Sequence, residues 1–148
     1  MIAIDTNVVL RYVLNDDKEQ ARKAAALIRR HKEVLITDVV LAEMVWTLKG
    51  RRYKLDRSGI GKVVNALFAE PSIRFEDNQV VWRALNDFAG AAGLPDTPKS
   101  MGKKTNIDFA DALIVNKVRW RAGQAGGALE AVYTFDKDAV KLAGVKRP

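Results

Sequence analysis

With 148 residues, 48% of them hydrophobic and 29% charged, the chain suits a single globular domain that buries about 70% of its unfolded surface, and disordered or fibrous classes are excluded. The absence of cysteine excludes a disulfide framework and a thiolate zinc site, and no run approaches the roughly 18 apolar residues of a membrane span. Lys and Arg outnumber Asp and Glu by 25 to 18, and the resulting net charge of +7 favours a polyanionic partner such as nucleic acid.

Ile2-Ala3-Ile4 reads as a short buried parallel strand that delivers Asp5, Thr6 and Asn7 at its carboxyl end, where open α/β sheets place their sites. Taken alone, Asp5 is more simply read as the N-cap of the next helix. A strand beginning at residue 2 leaves no room for a secretion signal, so a soluble, cytoplasmic protein is expected. One or two helical turns over 8–14 end at Asn15-Asp16-Asp17. A second helix over 18–31 sets Ala24, Ala25, Leu27 and Ile28 against a wet side of Arg22, Lys23, Arg29 and Arg30. His31, at its basic end, suits a solvated or helix-dipole role rather than catalysis.

Val34-Leu35-Ile36 is the second strand, and Thr37 an N-cap for a helix over 38–49 that is apolar nearly all round and is therefore expected to be buried. Glu43 lies in its middle, and a buried glutamate needs either a distant cation or a metal. Arg51 and Arg52 follow in a basic turn, at most a phosphate-contact candidate. Asp56 or Ser58 opens a helix whose stripe of Ile60, Val63, Val64, Leu67 and Phe68 marks core or an oligomer contact, and Pro71 ends it. Ile73-Arg74-Phe75 is a strand, and Asp77 caps a helix from 79 to about 92. The stretch 93–106 lacks periodicity, carries Lys99, Lys103 and Lys104, and reads as a functional loop.

Asp108 and Asp111 then fall on one face of a helix over 107–121, within a run that otherwise favours burial. Two such acids need a neutralising partner, although capping and the helix dipole also account for Asp108. Residues 131–135 form the last strand, followed by Asp136, and 140–148 a short helix and tail. Strand and helix alternate throughout, so the fold expected is α/β, a central and mostly parallel sheet of about four or five strands with helices on both faces.

Asp5, Glu43, Asp111 and Asp136, with Asp108 beside them, make a hard oxygen donor set that favours Mg²⁺ or Mn²⁺. An acidic pocket on a basic protein suits a metal completed by substrate phosphates, and the reaction class is phosphodiester hydrolysis. Thr6, Asn7 and Thr134 stand next to these acids, where orienting carboxylates and plain turn or strand packing are comparable readings. A phosphotransferase with a nucleophilic aspartate would want an acid at position 7, where Asn7 stands.

Ile4-Asp5-Thr6-Asn7, Leu41-Ala42-Glu43-Met44-Val45-Trp46, Asp108-Phe109-Ala110-Asp111-Ala112-Leu113-Ile114 and Tyr133-Thr134-Phe135-Asp136 together resemble the PIN-domain ribonucleases, and specifically the VapC toxins of toxin–antitoxin pairs. The resemblance implies one PIN-like domain over 1–148 and Mg²⁺- or Mn²⁺-dependent cleavage of RNA. It implies metal ligation by Asp5, Glu43, Asp111 and Asp136 with Asp108 in support, a homodimer, and inhibition by a cognate antitoxin. The loop 94–106 is longer and more basic than the family pattern, which makes its lysines RNA- or antitoxin-contact candidates. The competing reading is a PIN-like module that binds RNA or protein without cutting.

Overall fold

A computed structural model describes residues 1–90 and 106–148. The chain divides into two units, residues 1–78 and 79–148, which are described in turn.

In the first unit, β1 (Ile2–Ala3), β2 (Val34–Ile36) and β3 (Ile73–Phe75) form a parallel sheet in the order β1-β2-β3. Ile2 stands opposite Val34, and Val34 opposite Ile73. Parallel strands need crossovers, and each crossover here holds two helices: α1 (Thr6–Leu14) and α2 (Lys18–Arg30), then α3 (Asp38–Lys49) and α4 (Arg57–Ala69). Val34 and Ile36 are fully buried, as an inner strand requires.

The helix starts follow from short polar side chains. Asp17, Thr37 and Asp56 accept from the backbone N–H groups of Gln20, Val40 and Gly59, each supplying the third N–H of its helix with a partner. Asn15 ends α1 in the left-handed conformation at φ 52°, which asparagine tolerates, and so turns the chain into α2. His31 caps the end of α2, where its Nδ1–H donates to the Leu27 carbonyl at 2.8 Å. At the far end of α1, Tyr12 donates to Glu70 at 2.9 Å, and both burial and that carboxylate push its phenol pKa up.

α3 departs from expectation. Leu41, Met44, Val45 and Leu48 are buried, but Val39 and Trp46 are each 75% exposed and Glu43 is exposed between them. Positions 41, 44, 45 and 48 recur at helical spacing and form the core face. Positions 39, 43 and 46 form the opposite face, so apolar content all round did not amount to burial all round.

The second unit contains α5 (Asn78–Ala89, its first residue lying in the other unit), α6 (Phe109–Gln124) and two short strands, β4 (Val132–Tyr133) and β5 (Val145–Lys146). Phe88 and Phe109 are fully buried and meet edge to face at 5.7 Å, which seats the first turn of α6 on α5. Asn116, also buried, donates through Nδ2 to Asp87 at 2.7 Å and to the Ala112 carbonyl at 2.8 Å, locking the same two helices further along. Gly90, at φ 58°, takes the chain out of α5, and the predicted continuation to residue 92 lies outside the described residues.

The class is α/β with parallel strands, as expected, and the described residues form five strands divided between two sheets. Among the described residues there is a three-stranded sheet and a separate two-stranded one. β4 spans only two residues of the predicted 131–135, and it pairs with β5, where a helical tail was expected. The segment 134–144 connects them, with a 3-10 turn, Ala139–Lys141, in its middle, and brings Val145 back beside Val132. No helix among the described residues is long and apolar enough to cross a membrane.

Candidate functional site

Asp5 follows β1 at the carboxyl edge of the three-stranded sheet and is the N-cap of α1. Its Oδ1 accepts from the N–H of the very next residue, Thr6, at 2.6 Å. This differs from Asp17, Thr37 and Asp56, whose side chains fold back over the helix to the third residue. The Asp5 carboxylate therefore stays out in front of α1 and is exposed.

Thr6, 7% exposed, donates its hydroxyl to Glu43 Oε2 at 2.6 Å. One threonine thus holds two carboxylates that lie far apart in sequence, Asp5 through its N–H and Glu43 through its hydroxyl. The expectation of a buried Glu43 was wrong: the side chain is exposed on the outer face of α3, and its partner is a neutral hydroxyl rather than a distant cation. Asn7 is exposed on the same first turn of α1.

In the second unit Asp108 is the N-cap of α6 and, like Asp5, accepts from the following N–H, that of Phe109, at 2.8 Å. Asp111 lies in the first turn of α6, and both side chains are half-buried. Asp136 is exposed and its Oδ1 accepts from the N–H groups of Asp138 and Ala139 at 2.8 and 2.7 Å. Those backbone donors, Ala139 first and then Asp138, hold its carboxyl below the usual range against an opposing desolvation, with a lesser contribution from Lys141. Thr134 Oγ1 accepts from the Asp136 N–H at 3.1 Å, so this threonine shapes the turn that presents Asp136.

Asp136 has a sufficient structural role in starting the 3-10 turn, whereas the geometry of Asp108 resembles that of Asp5 more than that of an ordinary cap. Among the described residues, no three Asp, Glu or His side chains gather closely enough to hold a metal ion. The pair shown to share a partner is Asp5 and Glu43.

Of the basic candidates, Arg51 is exposed in the turn after α3. Arg52 lies over the Tyr53 ring at 5.2 Å and within 3.7 Å of Asp16, so it is partly engaged inside its own unit. Lys99, Lys103 and Lys104 lie outside the described residues. Sequence reasoning passed over Asn116 and Asp87, which fix α6. The signal available was a lone asparagine following the apolar run Ala112 to Val115.

Carboxylate oxygens are a hard donor set, and Mg²⁺ is commonly held by one or two of them together with waters and substrate phosphates. Asp5 and Glu43, both exposed and steadied by one buried threonine, fit a partly hydrated ion of that kind. No curated protein matches the chain closely enough to serve as a named relative. A family model described as PIN domain matches residues 2–145, a span that includes all of these acids. PIN domains are in general metal-dependent nucleases acting on nucleic acid. On that match across nearly its whole length, this chain belongs to the PIN-domain family.

Proposed function

We propose that the protein is a Mg²⁺- or Mn²⁺-dependent endoribonuclease with Asp5, Glu43, Asp111 and Asp136 as its acids, Asp108 in support, and Thr6, Asn7 and Thr134 as orienting neighbours. The observation that carries this reading is the Thr6 bridge. A buried residue that directs its N–H to one exposed carboxylate and its hydroxyl to another prepares both to hold something outside the fold.

Asp5 and Glu43 would hold the ion. When bound, such an ion lowers the pKa of a coordinated water and offsets charge on the phosphoryl oxygens. The chain's own contribution is orientation: the Thr6 hydroxyl, itself bonded to the carboxylate, fixes the Glu43 rotamer, and the Thr6 N–H keeps the Asp5 carboxylate in front of α1. The four family-like motifs support a further reading, that the enzyme is the toxin of a toxin–antitoxin pair, acting as a homodimer and silenced by its antitoxin.

The alternative, a PIN-like module that binds RNA or protein without cutting, is favoured by the lack of a three-acid group among the described residues. One experiment separates the two. Asp5→Asn and Glu43→Gln should each lower Mg²⁺-dependent cleavage of a labelled RNA by at least about 100-fold, while Asp17→Asn, which alters only a cap, leaves it intact. Cleavage should stop in EDTA and return with Mn²⁺. Full activity in both site variants would refute the assignment.

A further inference from the structure

We infer that α2 is a docking rail for the single-stranded RNA flanking the cleavage site, with a cationic groove along each side of the helix. This rests on the RNA-binding part of the function proposed above.

Within the first unit, one groove runs between α1 and α2, has a volume of about 570 Å³, and brings Arg11, Lys23 and Arg30 to its walls over a floor that includes Ala24 and Leu27. It also reaches Asn7, two residues along α1 from Asp5, so it leads away from the Asp5–Glu43 pair. A second groove, of about 470 Å³, lies on the other flank and is walled by Lys18, Arg22 and Arg29. No carboxylate lines either groove.

Apart from Arg11, which Asp16 holds at 2.8 Å, the cations are available. Lys18, Arg22, Arg29 and Arg30 are exposed, and no ion pair holds them among the described residues. Lys23 pairs with Glu19 at 2.7 Å, but both are about 70% exposed, so solvent and salt screen the pair and it yields readily to phosphate. At about 1.5 Å of rise per residue, Arg22 and Arg29 on one flank, and Lys23 and Arg30 on the other, stand roughly 10 Å apart along the axis. Cationic groups spaced along both flanks, over a floor of alanines and Leu27, suit a strand that offers phosphates to the walls and packs its bases against the floor. An acidic peptide would satisfy the charge but has no use for such a floor at every step.

The test uses the full chain in EDTA, so that RNA stays whole, and a fluorescein-labelled unstructured RNA of about 16 nucleotides. Binding is followed by anisotropy over a range of salt. Replacing Lys18, Arg22, Arg29 and Arg30 together by Gln should reduce the slope of log Kd against log salt by up to about 2.8 and weaken binding at least about tenfold. Exchanging the three arginines for lysine should retain the slope. If circular dichroism shows the quadruple variant unfolded, Arg22→Gln and Arg30→Gln are measured singly, each expected to lower the slope by about 0.7. An unchanged slope, no RNA binding by the wild type, or displacement of RNA by polyglutamate as effectively as by unlabelled RNA would overturn the inference, the last in favour of an acidic protein partner. A reduced slope with no Mg²⁺-dependent cleavage would instead sink the nuclease reading and leave the rail standing.

Discussion

Thr6 is the residue on which the local chemistry turns, because its two donors go to two different carboxylates. Thr6→Val keeps the shape and the N–H but leaves Glu43 without its hydroxyl. Cleavage should fall by about 10- to 100-fold, carried mainly by kcat, and Thr6→Ser should restore most of it. A purely structural role would instead show as a matched loss of stability in urea.

Asp16 shows a carboxylate with a different task. Arg11 Nη1 reaches both of its oxygens at 2.8 and 2.9 Å, and the Tyr53 hydroxyl donates to it at 3.0 Å. The hydrogen bond from Arg11, then that from Tyr53, hold its pKa below the ordinary carboxylate value of about 3.9 despite some desolvation. Since the folded pKa lies below the unfolded one, its stabilising contribution is complete above about pH 4 and is lost as pH falls through the folded value. The gap between wild type and Asp16→Asn in urea midpoint should therefore be constant from pH 5 to 7 and close below about pH 4. A gap that closes near neutrality would point to another group.

At the scale of elements, α3 sorts its side chains by face rather than by polarity. Met44→Ala should cost about 2–5 kcal/mol by urea unfolding, whereas Trp46→Ala should stay within about 0.5 kcal/mol, although the larger side chain is the one removed.

The elements most legible in the sequence were those set by local chemistry: α2, α3 and α4, whose starts at Asp17, Thr37 and Asp56 follow from capping, and the three apolar strands of the first unit. What local chemistry cannot give is partnership. Nothing in Val132-Tyr133 announces that it pairs with Val145-Lys146 instead of extending the larger sheet. Likewise Asp5, Thr37 and Asp56 all read as caps, and only the register of the accepted N–H separates Asp5 from the other two. Glu43 was picked out as anomalous, but its neutral partner could not be read, because Thr6 lies 37 residues away and a hydroxyl carries no charge to look for.

For the whole molecule, the local charge of the candidate site and the net charge of the chain are of opposite sign. The exposed acids Asp5 and Glu43 are an electrostatic cost in the absence of a cation, while the surface at large is basic at net +7. A ligand that binds the folded state alone raises its stability, so millimolar Mg²⁺ should raise the thermal midpoint of the wild type, and the double variant Asp5→Asn/Glu43→Gln should lose that response. Equal responses in the two proteins would remove these acids from the metal site whatever the activity showed.

Trp46 stands one helical turn from Glu43, and with 75% of its surface open it is the most exposed of the three tryptophans. The molecule therefore carries its own optical probe beside the candidate site. In a chain whose Trp82 and Trp120 are replaced by phenylalanine, the emission comes from that one indole, and acrylamide quenching becomes a direct titration of whatever settles over the Asp5–Glu43 pair, without a label and without turnover.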